Sequence, residues 1–311
     1  MDALATEQFE ASRNRLASLA YRLLGSAADA EDAVQDAFLR WQAADRDRVE
    51  VPEAWLTKIV THLCIDRLRS ARARHERAVG AWLPEPLLDG DPMLGPADTV
   101  EQRESVSLAM LTLMGRLSPN ERAVYVLREA FSYSHAEIAD ILDITESASQ
   151  QHLHRARRRV ATARRGGITD NAGARRIVEA FLDAAASGQT ERLIALLTED
   201  ATAISDGAGL TEKLLLFPTP ERMAAAARGA LKPSEGKRRR VGGSPALHAG
   251  VVNGSPALIA VFGNRVVGLL VLEMREGKIA FGHGIASPKR LGRLTAMWSE
   301  QEHDAPIVES W

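Results

Sequence analysis

The sequence has a single cysteine in 311 residues, a net charge of only −2 and no long apolar segment. Cys64 lies between Leu63 and Ile65, so we expect a core thiol in a reducing compartment and exclude a disulfide framework and a thiolate metal cluster. No run approaches the roughly 18 apolar residues of a membrane span, and no signal-peptide pattern is present. We therefore expect a cytoplasmic protein without membrane contact, and we find no motif for a metal or a cofactor.

Charged residues are unevenly distributed along the first half of the chain. Residues 58–79 contain six lysine and arginine residues against two acidic residues, whereas residues 84–104 contain six acidic residues against one arginine. Residues 151–165 contain six arginines and no acid. Because the net charge is near zero, any affinity for nucleic acid must come from these local basic blocks. The length of the chain suggests two or three domains.

Residues 134–165 have the pattern of a helix-turn-helix with a basic second helix. Apolar residues recur at helical spacing, the turn falls near Asp143, and Thr145 is a good N-cap for the second helix. When such a helix lies in a major groove, polar side chains of its first turns reach base edges and later arginines reach phosphates. The candidate DNA-contacting residues are Ser147, Gln150, Gln151, His154, Arg155 and Arg158. The alternative is a solvated basic face on a helix hairpin.

The N-terminal part of the chain predicts three amphipathic helices. Gly25 separates the first two, Ser26 and Asp29 have a capping-box pattern, and Pro52 suits the first turn of the third helix. The second helix is apolar on one face and acidic on the other, with Asp29, Glu31, Asp32, Gln35 and Asp36 on the acidic face. This face is either a solvated surface or a docking site for a basic partner.

Two ordered blocks across about residues 8–165 resemble the extracytoplasmic-function sigma factors. GSAADAEDAVQDAFLRW followed by EAWLTKIVTHLCIDRLRSARAR is similar to their region two, and LSPNERAVYVLREAFSYSHAEIADIL with the basic helix is similar to their region four. The resemblance implies a bacterial transcription initiation factor, not an enzyme. It implies that the acidic helix docks on the clamp helices of core RNA polymerase and that the basic helix reads the minus-thirty-five element of promoter DNA.

The resemblance also assigns the third helix and the loop before it to melting of the minus-ten element. A loop that captures flipped bases beside a basic helix would favour separated strands over duplex. The candidate residues for this contact are Arg46, Arg48, Lys58, His62, Arg67 and Arg69. Trp55 could stack on a base, but its place on the apolar stripe favours core packing.

A segment rich in proline, glycine and acid separates the two blocks. Its WLPEP sequence at 82–86 resembles the linker signature of the SigJ-like group, which carries a fused SnoaL-like domain after region four. We therefore predict region two at residues 1–76, the linker at 77–104, an all-α region four at 105–166 and the fused domain at 168–311.

The fused domain is predicted to be an α+β cone of the SnoaL or NTF2 kind. The patterns indicate helices at 174–186, 191–197 and 221–230 and a strand at 201–205. They also indicate an antiparallel run of strands from about Arg239 to Ile285, with turns at residues 253–254, 263–264 and 276–277. SDGAGL at 205–210 and SPKRL at 287–291 stand where the group's contact motifs would lie. The candidate interdomain residues are Trp82, Leu83, Pro84, Glu85, Pro86, Asp206, Ser287, Pro288, Lys289, Arg290 and Leu291.

Three functions from different classes are compatible with these patterns. The resemblance favours an alternative sigma factor that is regulated in cis by its fused domain. The second is a helix-turn-helix regulator that does not act through core polymerase, and the third is a DNA-tethered SnoaL-like protein that binds an unidentified small ligand or acts as an enzyme. For the third, the only acid–base candidates are Asp206, His248 and His283, and no spacing connects them.

Overall fold

The computed structural model describes residues 3–75, 83–95, 99, 102, 104–161, 170–207 and 213–311. These residues form two compact units. The first contains described residues 3–75, 83–85 and 90–161, and the second contains 86–89 and 170–311. No helix in the described ranges is both long and apolar enough to span a bilayer.

The first unit begins with three helices, α1 (Ala3–Leu24), α2 (Ala27–Ala43) and α3 (Pro52–His75). The predicted break is confirmed, because Gly25 has a positive φ of 66° and the Ser26 side chain accepts a hydrogen bond from the Asp29 backbone as N-cap of α2. The Trp41 indole is buried and donates to the Ala5 carbonyl. Its ring lies 5.4 Å from that of Trp55, so Trp55 packs on the core of this unit.

The described part of the first unit contains four further α-helices: α4 (Leu108–Met114), α5 (Pro119–Glu129), α6 (His135–Leu142) and α7 (Glu146–Val160). Ser118 and Ser134 each begin a capping box, which fixes where α5 and α6 start. Asp143 ends α6 with a φ of 54°, and Thr145 caps α7. The predicted helix-turn-helix is therefore confirmed as α6, the turn and α7.

A buried arginine, Arg22 of α1, joins the helices of the first unit. Its guanidinium donates to the Ser105 hydroxyl at 2.8 Å, to the carbonyls of Leu94 and Gln102, and to Ser18. The guanidinium of Arg122 in α5 donates to the Arg22 carbonyl at 3.1 Å. Burial lowers the pKa of both arginines to about 10. Buried hydrogen bonds thus tie α1 to α5 and to the segment between them.

The second unit is a six-stranded sheet with helices. Its elements are α8 (Asn171–Ala186), α9 (Thr190–Ala195), β1 (Leu197–Ser205), β2 (Leu215–Phe217), α10 (Pro220–Leu231), α11 (Glu235–Val241), β3 (Ala246–Val252), β4 (Ser255–Phe262), β5 (Arg265–Arg275), β6 (Lys278–Ile285) and α12 (Pro288–Glu300). The strand order is β2-β1-β6-β5-β4-β3. Strands β1 and β6 are parallel, and every other neighbouring pair in the sheet is antiparallel. Its core includes Phe181, Leu193, Met223, Leu272 and Ile279.

The predicted start of the strand run is wrong. Arg239 lies in α11 and not in a strand, because the Ser234 side chain caps a short helix that ends at Gly242, whose φ of 97° stops it. The predicted end of the run at Ile285 is confirmed, and after it α12 buries Leu291 and Trp298 at helical spacing, a helix that the patterns do not predict. The predicted turns at residues 253–254, 263–264 and 276–277 do connect β3 to β4, β4 to β5 and β5 to β6.

Candidate nucleic-acid interface

Helix α7 presents a polar face that is exposed in the first unit. Its buried residues are Ser149, Leu153, Ala156 and Val160. All six residues predicted to contact the minus-thirty-five element are exposed: Ser147, Gln150, Gln151, His154, Arg155 and Arg158. Ser149 is buried, and its hydroxyl lies 2.8 Å from the His135 ring nitrogen. This hydrogen bond connects the start of α7 to α6. The polar face of α7 is therefore exposed while its apolar face stays buried in the first unit.

Glu121 of α5 holds the basic half of α7. Its carboxylate forms ion pairs with Arg155 at 3.0 Å and with Arg159 at 2.5 Å, and it accepts a hydrogen bond from the Ser118 backbone N–H at 3.0 Å. Burial alone would raise the pKa of Glu121, but the hydrogen bonds from Ser118 and the two arginines lower it below its usual value. Arg157 makes a similar ion pair with Glu129 at 2.6 Å. Two carboxylates of α5 thus anchor helix α7.

This anchoring role of Glu121 is missed by the sequence patterns. They predict Glu121 only as the third residue of a capping box, and that role is confirmed. The arginines it binds are 34 and 38 positions further along the chain, so no local spacing reveals them. Arg155, predicted to contact DNA, is therefore already paired with a carboxylate in this structure.

Two of the residues predicted to contact the minus-ten element lie against the helix-turn-helix. The Lys58 ammonium donates to the Asp140 carbonyl at 2.8 Å and to the Asp143 carboxylate at 2.6 Å. The His62 ring lies 2.8 Å from the Ile141 carbonyl. The hydrogen bond from Lys58 is the main cause that lowers the pKa of Asp143. Both side chains are thus hydrogen-bonded to the C-terminal end of α6.

The other minus-ten candidates lie on the same unit and contact other residues of it, including Asn120 of α5, whose side chain lies 3.4 Å from that of Arg69. Arg67 binds the Asp36 carboxylate at 2.7 Å and the Asp29 carbonyl at 2.6 Å, so a residue predicted to contact DNA is paired with a residue predicted to contact polymerase. Arg48 pairs with Asp45 at 3.0 Å. Arg46 is half-buried in a single turn of 3-10 helix before α3, and Arg69 is exposed. Four residues of the acidic face are exposed: Asp29, Glu31, Asp32 and Gln35.

The first part of the WLPEP linker is folded into the first unit, although Trp82 lies outside the described residues. Leu83 is buried, and the Glu85 carboxylate accepts from the Ala27 backbone at 2.7 Å, at the start of the acidic helix α2. The Tyr21 hydroxyl donates to the Glu85 carbonyl at 2.8 Å. A carboxylate at a helix N-terminus is favoured by the helix dipole, so Glu85 stabilises the helix predicted to bind polymerase.

The following residues, Pro86–Asp89, belong to the second unit. The Leu87 backbone N–H donates to the Asn253 side chain at 2.8 Å, and the Asn253 N–H donates to the Leu87 carbonyl at 2.9 Å. The Asp89 N–H donates to the Val251 carbonyl at 3.0 Å. Asn253 is buried at the β3–β4 turn, which the sequence patterns predict without predicting this contact with Leu87. The linker thus changes unit between Glu85 and Pro86.

The predicted interdomain residues of the second unit lie near the start of α12. Asp206 is buried and accepts from the Ala286 and Ser287 backbones at 3.0 and 2.9 Å, so it holds the turn between β6 and α12. Leu291 is buried in the core of the unit, whereas Pro288 and Lys289 are exposed and Arg290 is half-buried. Residues 208–210 of the SDGAGL sequence lie outside the described residues.

The three acid–base candidates of the fused domain do not form a catalytic site. His283 is completely buried, which lowers its pKa to about 3 and keeps the ring neutral at physiological pH. His248 lies against the edge of the Trp298 ring and contacts the Asp304 carbonyl, and Asp206 is used as described above. This unit also contains a large cavity, and none of the three side chains lines it. In the described part of the chain, no group of His, Cys, Asp or Glu side chains is placed to hold a metal ion.

Comparison with known proteins accounts for the whole architecture. Sigma-70 region 2 matches residues 8–74 and Sigma-70 region 4 matches residues 107–160. The chain is 34% identical to the ECF RNA polymerase sigma factor SigJ of Mycobacterium tuberculosis, over 92% of this chain and 93% of that protein. It is 31% identical to the probable ECF RNA polymerase sigma factor SigI of the same organism, over 93% and 95% of the two chains.

A solved structure extends this similarity to the fused domain. The crystal structure of the M. tuberculosis extracytoplasmic function sigma factor SigJ aligns with 93% of this chain and 98% of its own length, with a TM-score of 0.68 and 29% identity. The predicted fold class, two helical sigma regions followed by an α+β domain, is confirmed. The chain belongs to the extracytoplasmic-function RNA polymerase sigma factors.

Proposed function

We propose that the exposed polar face of α7 reads the minus-thirty-five element while the acidic face of α2 docks on the clamp helices of core RNA polymerase. The observation that carries this proposal is the way α7 is attached to α5: polar residues of its first turns are exposed, and three of its arginines pair with Glu121 and Glu129. A rigid support positions base-reading side chains better than a mobile one. The chain acts as a transcription initiation factor, and we place it in the cytoplasm with its polymerase and promoter.

The second part of the proposal concerns the minus-ten element. The loop at residues 44–51 and the basic face of α3 would engage the separated strand, with Lys58 and His62 among the contacts. Because Lys58 and His62 are hydrogen-bonded to the end of α6 in the structure, the minus-ten element would have to replace those contacts, which gives an open arrangement of this unit. Binding to polymerase would favour the open arrangement if polymerase binds it more tightly than the closed one.

The third part is that the fused domain regulates this opening in cis. The linker supports it, because Glu85 caps the helix proposed to bind polymerase and Leu87, two residues later, is bonded to the edge of the sheet in the second unit. A change in either bond would alter the strain on the same short segment. The fused domain would then bias the population of arrangements without contacting DNA bases.

Run-off transcription with purified core polymerase tests the proposal for α2. Reversing the charge at the exposed Asp32 should weaken binding to core polymerase by roughly tenfold or more, because it sets a like charge against a basic docking site. The matched control is Glu7→Arg, which reverses an exposed charge on α1. Wild-type polymerase affinity in Asp32→Arg, or the same loss in Glu7→Arg, contradicts the docking face. A wild-type protein that adds no promoter-specific initiation contradicts the function.

Base reading by α7 is tested at Gln150 and Arg158. We expect Gln150→Ala to reduce discrimination at one minus-thirty-five position by about 1–3 kcal/mol, because an amide that bonds a base edge is lost. Arg158→Ala should instead weaken all sequences alike and lower the salt slope of binding by about one. Competition binding with single-base variants of the promoter measures both effects. An unchanged base preference in Gln150→Ala means that this residue does not read a base.

A further inference from the structure

The second unit contains a cavity of about 740 Å³. This volume falls within the range of about 300–1,000 Å³ that accommodates small molecules in proteins. Helices α8, α10, α11 and α12 and all six strands contribute its wall, which is mostly apolar. Among the apolar side chains are Phe181, Met223, Leu258, Leu270 and Ile285. Such a wall favours an apolar occupant, since burial of apolar surface drives binding.

The charged side chains on this wall are all positive among its described residues. Lys237 and Arg240 of α11 and Arg265 of β5 line the cavity, and no acidic or histidine side chain is among its described lining residues. Arg240 and Arg265 are exposed, so they mark a place where the cavity reaches solvent. Lys237 donates to the last carbonyls of α10, including that of Gly229 at 2.6 Å. Burial, and then the charges of Arg240 and Lys232, lower the pKa of Lys237.

The hydroxyls on the wall are already engaged within the unit. The Thr295 hydroxyl accepts from the Val266 backbone at 3.2 Å, and the Ser205 hydroxyl accepts from Gly207 at 3.2 Å. The described residues of the wall include no carboxylate or imidazole side chain, and the Lys237 ammonium donates to the carbonyls of Gly229, Ala230 and Lys232. These contacts favour a binding role for the cavity.

We propose that this cavity binds an anionic amphiphile, a molecule with an apolar body and a single carboxylate. The apolar body would fill the cavity, and the carboxylate would lie between Arg240 and Arg265 at the opening. A guanidinium can bind a carboxylate with two parallel hydrogen bonds, and the bound anion would reduce the mutual repulsion of the cations on this wall. The proposal concerns binding alone and does not depend on how the fused domain acts on transcription.

Calorimetric titration of the full-length protein with octanoate, decanoate and dodecanoate tests the apolar part. Each added methylene should strengthen binding by about three- to fourfold until the cavity is full, because burial of one methylene is favourable by a nearly constant amount. Acetate should show no measurable binding. Dodecanol, which has the same chain without the charge, should bind about three- to fivefold more weakly than dodecanoate.

Matched variants test the position of the ligand. Arg240→Gln should weaken dodecanoate binding by about three- to fivefold and leave dodecanol unchanged, whereas Arg239→Gln, on the same helix but off the wall, should change neither. Gly268→Leu adds a side chain to the wall of the cavity, where an added Cβ lies 3.6 Å from that of Ala260. It should weaken binding at least tenfold. Gly229→Leu, on exposed helix surface with no neighbour within 4 Å, is its control.

Three results would overturn the proposal. The first is the absence of dodecanoate binding to the wild-type protein, and the second is an affinity that does not depend on chain length. The third is an equal loss from Arg239→Gln and Arg240→Gln together with competition by a DNA oligonucleotide, which would mean that the basic helix binds polyanions at its surface. If Gly268→Leu does not fold, the arginine pair and the chain-length series still decide the question.

Discussion

Replacing Arg22 with alanine should lower the free energy of unfolding of the first unit by about 3–5 kcal/mol. The change leaves a cavity in the core and removes the donors that satisfy the carbonyls of Leu94 and Gln102. Arg22→Met keeps most of the volume and also removes the cost of burying a charge, so its loss should be about half as large.

Hydrogen exchange measured on peptides from α1 and α5 reports this loss within the full-length protein. Protection should fall in both helices together, because Arg22 and Arg122 connect them. Arg13→Ala is the control on the same helix, since Arg13 is exposed and pairs with Glu10 on its own helix; its effect should stay within about 0.5 kcal/mol. A similar loss in Arg13→Ala, or a loss confined to α1, would contradict the joining role of Arg22.

Replacing Asn253 with alanine should destabilise the second unit by about 2–4 kcal/mol and release Leu87–Asp89. Asn253 has a φ of 50°, which costs alanine roughly 1–2 kcal/mol, and the loss of its side chain leaves the Leu87 N–H without its acceptor, which costs about 1–3 kcal/mol. Asn253→Gly tolerates the backbone conformation, so it should show only the second loss.

The two Asn253 variants also test regulation by the fused domain. Faster exchange at the amides of Leu87 and Asp89 should accompany an altered yield of promoter-dependent run-off product, with unchanged base preference. The control is Asn264→Ala, at the exposed β4–β5 turn, which should exchange and transcribe like the wild type. If Asn253→Gly releases the linker and transcription stays at the wild-type level, the linker bond does not transmit regulation.

The helices of the first unit could be predicted because local signals agree. Ser26, Ser118 and Ser134 stand at caps, and the apolar spacing continues from each of them. Arg22 could not be predicted as a buried group, because an arginine on a helix is usually solvated and its acceptors lie more than 70 positions away. The contacts of Lys58 and His62 with α6 escape prediction for the same reason.

In the second unit, the hairpins could be predicted from their turn residues, whereas α11 could not. Its sequence EGKRRRV has no apolar stripe, so only the Ser234 cap and Gly242 specify it, and single caps are weak signals beside a predicted strand run. The cavity depends on the way several elements close around it, and no single segment records its volume. The cations of its wall could not be predicted either, because two of the three, Lys237 and Arg240, lie in α11, which the sequence patterns assign to a different structure.

The hydrogen bonds of Arg22 also set an order of events during synthesis. Helix α1 leaves the ribosome before residues 94–122 exist, and Arg122 is 100 positions later in the chain than Arg22. At about 5–20 residues per second, translation of that interval takes about 5–20 s. Until residues 94–105 have been made, the Arg22 guanidinium lacks its acceptors Leu94, Gln102 and Ser105, so α1 cannot reach its final packing. A nascent chain would therefore complete its polymerase-binding half only when the start of its promoter-reading half has been made.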